Sequence, residues 1–443
     1  MKLSSHLPKF FFALADKSLP LFYGLGIILI VIRTIPIKEY GILVLVQSTF
    51  YLIQNMNEFL VLRPMVKYLS ADLRNGKWVI PHSFVLSVTF FCLTLGIVTV
   101  LSSSIGDLLH FPSFSNYLIY LWGLPLAFFL KSFAISILNS QVKPFKVFVI
   151  DFVYYMGSLV GILLMFLKNN LDTANDVLYV NIVAALSSSI VSLPFVLRYL
   201  SSIELKINRQ RFKSIFQFGK YTFGAGIGSA IFQRGDNYVL SAILSPIEVA
   251  TYNAGRTFMR LFNIISQSVN MLFFPIISRL KSQGREKDIK AVIEKGIGFY
   301  ILLLYPVIVV LILVAKPLLS FIYGYKYPNA HIVFQILLVG MVFHPFLCIS
   351  SACLLGLGKP RFNMVSKFIS IPLNIIGNIV LIPIIGVYGS AVAVVLYMST
   401  ESIFLFFWLK KFTNCTIIGI FTRYRDVLSF GKELIKGAKD IKK

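Results

Sequence analysis

The sequence is poor in cysteine, in acidic residues and in long hydrophilic stretches. Its 443 residues include four cysteines without a CxxC spacing, so neither a disulfide framework nor a cysteine metal site is expected. Aspartate and glutamate together number 18, against 42 lysines and arginines. No hydrophilic stretch is long enough for a separate soluble domain, and no predicted outer loop is long enough for an extracytoplasmic catalytic domain. We therefore do not expect an enzyme.

Apolar residues dominate what remains. They make up 57% of the chain, and the mean hydropathy is +0.80, well beyond a soluble domain. The apolar runs are about twenty residues long, enough to cross a bilayer core as helix. We predict an all-α polytopic membrane protein with about twelve spans, whose first span is retained because it lacks a cleavage site. The predicted spans are 14–32, 40–62, 81–101, 116–138, 147–167, 178–197, 221–244, 251–275, 296–314, 331–354, 368–385 and 388–409.

The basic residues lie mainly in alternate loops. With the N-terminus inside, 33 of the 42 lysines and arginines fall in predicted cytoplasmic segments and 5 in outer loops. The positive-inside rule then predicts that both termini are cytoplasmic. Basic residues beside helix ends meet anionic lipid head groups, so membrane lipids are expected partners and nucleic acid is not.

Sequence landmarks recur in the two halves of the chain. Lys143-Pro144 corresponds to Lys359-Pro360, and at the same offset Gly161 falls on Gly377. Pro64 and Pro275 correspond at nearly that offset, and "IPIKEYG" parallels "LSPIEVA". We predict a parallel repeat of two six-helix lobes, 1–205 and 206–409, with a basic cytoplasmic tail at 410–443. Such repeats place a substrate cavity between the lobes near the membrane midplane.

Charged residues interrupt two of the predicted spans. In "QRGDNYVL", Arg234 and Asp236 lie deep in the seventh span. An ionisable residue at that depth usually faces a wet cavity, because burial in lipid is costly. In the eighth span, spacings of four, three, four and three predict one polar helical face. Its members are Arg256, Arg260, Asn263, Gln267 and Asn270.

Other spans carry single deep charges. Glu58 shares a face with Gln47, Tyr51 and Gln54, and Glu401 shares one with Tyr397. For Lys131 and Glu58 two interpretations stay open, a cavity lining or snorkelling to the interface. Asp236 has two candidate partners, Arg256 and Arg260 on the next helix. Four deep cations thus face three deep carboxylates, and guanidinium groups are preferred partners of phosphate, so an anionic cargo is predicted.

The stretches 233–280 and 354–393 resemble the bacterial polysaccharide exporters. These are Wzx-type flippases of O-antigen and capsule repeat units, within the multidrug/oligosaccharidyl-lipid/polysaccharide exporter (MOP) superfamily. The resemblance covers essentially the whole chain and implies a V-shaped transporter of the bacterial cytoplasmic membrane, like the multidrug and toxin extrusion (MATE) transporters and MurJ. It implies alternating-access export of an undecaprenyl-pyrophosphate-linked oligosaccharide, in concert with polymerase or chain-length machinery.

The resemblance also assigns roles to residues. Arg234, Arg256 and Arg260, with Asn263, Gln267 and Lys131 around them, would bind the substrate. Asp236, Glu58 or Glu401 would couple transport to a proton or sodium ion, with no other cofactor or metal.

Three alternatives remain. A MATE-type antiporter for organic cations shares the fold but needs acidic cavity walls. A membrane glycosyltransferase or polymerase needs a large loop with an acid/base pair. A scaffold predicts that the deep arginines are dispensable.

Overall fold

Helices account for all the regular structure in residues 7–71, 76–200 and 208–422, the parts of the chain that the computed structural model describes. Helices suit this composition because in lipid every backbone N–H and C=O must be paired within its own segment. The α-helices are α1 Leu7–Gly26, α2 Ile32–Thr34, α3 Ile37–Asn57, α4 Arg63–Ala71, α5 Gly76–Val100, α6 Ser102–Leu108, α7 Leu118–Ser140, α8 Pro144–Leu167, α9 Ala174–Leu200, α10 Arg209–Ile243, α11 Pro246–Arg256, α12 Arg260–Ser282, α13 Glu286–Tyr323, α14 Ala330–Gly340, α15 His344–Gly356, α16 Pro360–Ile385, α17 Val387–Thr413 and α18 Ile417–Thr422. The predicted all-α membrane class is confirmed.

Every predicted span lies on helix over nearly its whole length. Within the described ranges, nine helical stretches are long and apolar enough to cross a membrane. The predicted spans outside this set are 40–62, 221–244 and 251–275. These three carry most of the candidate site residues, whose polar groups lower the hydropathy of the helix. The count of twelve spans stays a prediction.

Short segments of different helical pitch interrupt several helices. Two π-helical segments, Ile27–Val31 and Glu58–Leu62, follow α1 and α3. A 3₁₀ turn, Thr257–Met259, separates α11 from α12. It lies between Arg256 and Arg260, and a 3₁₀ turn has three residues instead of 3.6. The polar face predicted to run from Arg256 to Asn270 in one α-helical register is therefore broken after Arg256.

The chain divides into two compact units. The first extends to Ala254 and includes Ile322–Tyr327, and the second comprises Gly255–Phe321 and the chain from Pro328 onward. Helix α10, which the predicted boundary at 205/206 assigns to the second lobe, packs in the first unit against α3, α4 and α5. The two six-helix lobes stay a prediction.

The repeated glycines have the same structural role in each unit. A Cβ atom on Gly161 of α8 would lie 2.6 Å from Cγ1 of Val180 on α9. On Gly377 of α16 it would lie 3.1 Å from Cβ of Ala393 on α17. Each glycine lets its helix approach the following one closely, which gives a physical reason for the recurrence at this offset.

Candidate functional site

Arg234 and Asn237 of α10 make polar contacts with side chains of α3. The Arg234 guanidinium lies over the ring of Tyr51, with Cζ 4.9 Å from the ring centroid. Asn237 donates to Oγ of Ser48 at 2.9 Å. One turn of α10 is thus attached to α3 through an amide and a guanidinium, and the Arg234 side chain is half-buried.

Asp236 faces α11 from the same turn. It is 1% exposed and accepts a hydrogen bond of 2.9 Å from the hydroxyl of Tyr252. Beside it, Asn253 donates to the side-chain oxygen of Asn237 at 2.7 Å. A buried carboxylate needs such donors, because leaving it without them in a low dielectric is strongly unfavourable. Tyr252 is a partner that the sequence did not indicate.

The remaining members of the predicted arginine site lie in the second unit. Arg256 ends α11 and is half-buried, while Arg260 begins α12 and is exposed. The side chains of Asn263, Gln267 and Asn270 lie outside the part of the structure that is described.

Lys131 lies in a buried ion pair. Its side chain is 4% exposed, and Nζ lies 2.8 Å from Oδ1 of Asp151 on α8. The ammonium also lies 4.0 Å from the ring centroid of Tyr154. Lys131 therefore does not snorkel to the membrane interface, because Asp151 neutralises its charge within the first unit.

Glu58 is the first residue of the π-helical segment after α3. Its Oε1 accepts from Nε of Arg63 at 3.1 Å, and both side chains are about half exposed. The Arg63 guanidinium also stacks on Phe59, 4.2 Å from the ring centroid. The Glu58 charge is therefore paired with that of Arg63, five residues further along the chain.

Glu401 is buried on α17 and paired with α16. Its Oε1 accepts from Nζ of Lys367 at 2.7 Å, and the same ammonium donates to the Tyr397 hydroxyl at 2.9 Å. The predicted span 368–385 leaves Lys367 in a cytoplasmic segment, but this residue lies within α16. The shared face of Tyr397 and Glu401 is confirmed as a binding surface for that lysine.

Four charged residues were missed in the count of deep charges. Asp16 on α1 is 6% exposed, Glu294 on α13 is 1% exposed, and Asp151 and Lys367 are the ion-pair partners just described. Adding them turns the predicted excess of one positive charge into an excess of one negative charge. A signal for Asp151 was present, since it stands alone in the apolar run "FVIDFVYY". The case for an anionic cargo therefore depends on where the arginines lie and not on net charge.

Metal binding has no geometric support in the described ranges, where no group of three or more histidine, cysteine, aspartate and glutamate side chains could hold an ion. The guanidinium groups of Arg234 in the first unit and of Arg256 and Arg260 in the second are each of a kind that binds anionic groups.

Comparison with known proteins gives a consistent picture. A family model described as "Polysaccharide biosynthesis protein" matches residues 30–332. A "Probable low-salt glycan biosynthesis flippase" of Haloferax volcanii, Agl15, is 22% identical over 415 residues, which is 90% of this chain and 84% of that protein.

Solved structures show the same fold. The lipid II flippase MurJ in an inward closed conformation has a TM-score of 0.74 at 14% identity, covering 95% of this chain and 91% of that one. An inward-facing MATE transporter of the MOP superfamily has a TM-score of 0.71 at 13% identity, covering 94% and 99%. These neighbours are transporters and flippases, as the sequence predicted, and not enzymes.

The family match spans more than half of the chain and agrees with the helical fold and the membrane composition. The chain is a multi-pass membrane protein with the fold of MurJ and of MATE transporters, and it belongs to the polysaccharide biosynthesis protein family.

Proposed function

We propose that this protein flips an undecaprenyl-pyrophosphate-linked oligosaccharide across the bacterial cytoplasmic membrane by alternating access. In this proposal both termini are cytoplasmic, and the product is handed to polysaccharide polymerase and chain-length machinery for O-antigen, capsule or exopolysaccharide. Arg234, Arg256 and Arg260 bind the pyrophosphate or acidic sugars, and Asn263 and Gln267 bind sugar hydroxyls.

The observation that carries the proposal is the position of the three arginines. They lie on α10, α11 and α12, within the predicted spans 221–244 and 251–275. These two spans are not among the nine helical stretches whose length and hydropathy suit a membrane crossing. Guanidinium groups retained in such helices favour a wet lining over a lipid-facing one. Their planar forks bind phosphate oxygens in bidentate fashion, which matches a pyrophosphate-linked cargo.

A MATE-type antiporter for organic cations is the second candidate, because the fold is shared. Such a cargo needs carboxylates available to it. Glu58 and Glu401 each accept from a basic side chain, and Asp236 accepts from Tyr252. These contacts favour the anionic cargo.

The experiment is transport by the full-length protein in proteoliposomes that carry a fluorescent pyrophosphate-linked oligosaccharide. Replacing Arg234, Arg256 or Arg260 by alanine should slow flipping by about tenfold or more, the equivalent of one hydrogen bond to a charged group. Lysine at the same positions should restore only part of the rate, because it lacks the bidentate fork.

Arg279→Ala is the matched control, since Arg279 is an exposed arginine in the last turn of α12. Unchanged flipping in all three alanine variants would overturn the arginine assignment. Efflux of a fluorescent organic cation by the wild type, without flipping of the glycan lipid, would favour the antiporter.

A further inference from the structure

An apolar groove of about 450 Å³ lies between α5, α7 and α9 of the first unit. This volume falls within the range of about 300–1,000 Å³ that is usual for small-molecule sites. All three helices are among the stretches that are long and apolar enough to cross a membrane. The polar member of the described lining is Ser192, whose hydroxyl already donates to the Ser189 carbonyl at 2.6 Å. The groove therefore offers a ligand mainly apolar contact.

Two lysines lie at one end of this groove. After Ile137, a lining residue, the chain leaves α7 and enters α8, where Lys143 precedes the helix and Lys146 lies in its first turn. Nζ of Lys146 lies 5.0 Å from the ring centroid of Phe195, and Nζ of Lys143 lies 5.3 Å from that of Tyr199. Both rings pack against the apolar cluster that contains Ile137. The two ammonium groups thus lie on aromatic rings that border the groove.

Neutral groups surround these two ammonium groups. Within residues 7–71, 76–200 and 208–422, neither Lys143 nor Lys146 forms an ion pair with a carboxylate. The Lys143 ammonium donates to the Tyr199 hydroxyl at 2.6 Å, and that hydroxyl donates to Oε1 of Gln141. An ammonium has three N–H donors, and neither a phenol nor an amide carries a negative charge. The site therefore keeps two positive charges for an anionic partner.

The arrangement of a lysine over an aromatic ring recurs in the second unit. Lys143 and Lys359 are the lysines of the two Lys-Pro pairs. Nζ of Lys359 lies 5.1 Å from the ring centroid of Phe412 in the last turn of α17, as Lys143 lies over Tyr199 in the last turn of α9. Proline suits the first position of a helix, but that preference does not account for the lysine before it. The recurrence indicates that these lysines have a role at the membrane surface.

We propose that the groove between α5, α7 and α9, together with Lys143 and Lys146, binds an anionic glycerophospholipid of the surrounding membrane. One hydrocarbon chain lies in the groove, and the headgroup phosphate accepts hydrogen bonds from the two ammonium groups. In the proposed orientation this end of the first unit is cytoplasmic, so the lipid belongs to the inner leaflet. Basic pockets between membrane helices on the cytoplasmic side bind anionic headgroups of this kind. Binding of the lipid does not depend on the proposed flippase function.

A phospholipid fits this site better than a free anion or the pyrophosphate-linked cargo. A free phosphate would leave the apolar groove empty, whereas a phospholipid fills the groove and neutralises the lysines. Lysine presents a point charge and lacks the bidentate fork with which arginine binds phosphate oxygens. The three arginines assigned to the cargo lie on α10, α11 and α12, and none of these helices contributes to the described lining of the groove.

The first test is lipid binding to the full-length protein in detergent, measured by native mass spectrometry. We expect the wild type to retain phosphatidylglycerol in preference to phosphatidylcholine. The double variant Lys143→Gln with Lys146→Gln should retain one molecule fewer, because its affinity for that molecule falls about thirtyfold, or roughly fivefold for each lysine. Lys168→Gln, at an exposed lysine at the other end of α8, should bind like the wild type.

Arginine at both positions keeps the charges, so Lys143→Arg with Lys146→Arg should keep the preference for phosphatidylglycerol. This variant separates the loss of charge from a folding defect in the glutamine variant. Equal retention of the two lipids by the wild type, or an unchanged preference in the glutamine variant, would overturn the site.

The groove is tested through the length of the lipid chain. The wild type should bind long-chain phosphatidylglycerol more tightly than the dihexanoyl form, because burial of each additional methylene is favourable. Val85→Trp fills the groove from α5 and should reduce that difference about tenfold or more. Val88→Trp is the matched control, since Val88 is an exposed valine of the same helix outside the described lining. Equal affinity of the wild type for the two chain lengths would overturn the groove.

Competition decides which molecule occupies the site. Undecaprenyl pyrophosphate at equal concentration should not displace phosphatidylglycerol from the wild type. Displacement at equal or lower concentration would assign the site to the cargo, and displacement by inorganic phosphate alone would assign it to a free anion. Either result would overturn the phospholipid. If no glycan lipid is flipped in proteoliposomes, the proposed function fails while these binding experiments still decide the lipid site.

Discussion

Asp151 and Lys367 each stand eight residues after the lysine of a Lys-Pro pair, and each forms an ion pair within its own unit. Asp151 of α8 pairs with Lys131 at 2.8 Å, and Lys367 of α16 pairs with Glu401 at 2.7 Å. Corresponding positions of the predicted repeat thus carry opposite charges. The lysine is almost fully buried in the Asp151 pair and 46% exposed in the Glu401 pair.

Breaking the Lys131–Asp151 pair should destabilise the first unit strongly. Lys131→Met leaves the Asp151 carboxylate, which is 17% exposed, without its ammonium, and breaking a buried pair costs about 3–5 kcal/mol. The double variant Lys131→Met with Asp151→Asn should lose less than the single one, because no uncompensated charge remains. The measurement is the free energy of unfolding in detergent. Lys17→Met, an exposed ion-pair residue, should change it by less than about 1 kcal/mol. A double variant less stable than Lys131→Met would contradict this account.

The Lys367–Glu401 pair should be less important for stability, because the lysine side chain is 46% exposed. Solvent screening lowers what its removal costs. We expect Lys367→Met to lower the midpoint of thermal unfolding less than Lys131→Met does. The coupling role predicted for Glu401 is tested by Glu401→Gln in proteoliposomes, where a proton or sodium gradient should accelerate flipping less than in the wild type. Equal acceleration in the two proteins would contradict that role.

The Tyr252 hydroxyl should stabilise α11 against α10. Tyr252→Phe removes the 2.9 Å hydrogen bond to the buried Asp236 carboxylate, and hydrogen bonds to charged groups contribute about 1.5–3 kcal/mol. Combining it with Asp236→Asn should not add the two losses, since both remove one contact. Unfolding measured on the two single variants and the double variant gives the coupling energy. Tyr325→Phe, at an exposed tyrosine, is the control.

Gly219 should tolerate no side chain. A Cβ atom there would lie 3.0 Å from the carbonyl carbon of Leu60, and still closer to its oxygen, in the π-helical segment after α3. Backbone cannot move aside easily, so Gly219→Ala should destabilise by about 1–3 kcal/mol. Gly224→Ala on the same helix meets nothing within 4 Å and should be neutral or stabilising by up to about 1 kcal/mol. Equal unfolding energies for the two variants would show that α10 does not pack on Leu60 this closely.

Much of the fold could be predicted because its signals are local. Long apolar runs place every predicted span on helix, and the two Lys-Pro landmarks of the predicted repeat both stand at helix starts, those of α8 and α16. The interruption between Arg256 and Arg260 could not be predicted, since a 3₁₀ turn leaves no residue signature in "RTFMR". That turn interrupts the single α-helical register on which the predicted polar face depends between Arg256 and Arg260.

The candidate site was predicted less well than the fold. Lone charges in apolar runs were recognised at Arg234, Asp236 and Glu401, but the same signal was passed over at Asp16 and Asp151. Lys367 falls one residue outside the predicted span 368–385, in a segment with two other basic residues. In the structure the Lys367 ammonium donates to the Glu401 carboxylate.

The amino-acid sequence by itself determined that this chain is helical, lies in a membrane and carries charges within its apolar helices. Hydropathy and helical period are properties of residues close together in the chain, so both can be determined without knowledge of the fold. Only the tertiary structure decided which charges neutralise one another. Lys131 pairs with Asp151 on another helix, and Lys367 pairs with Glu401 on the helix that follows its own. A lone charge looks alike in sequence whether it faces water or a partner, because pairing depends on how helices pack.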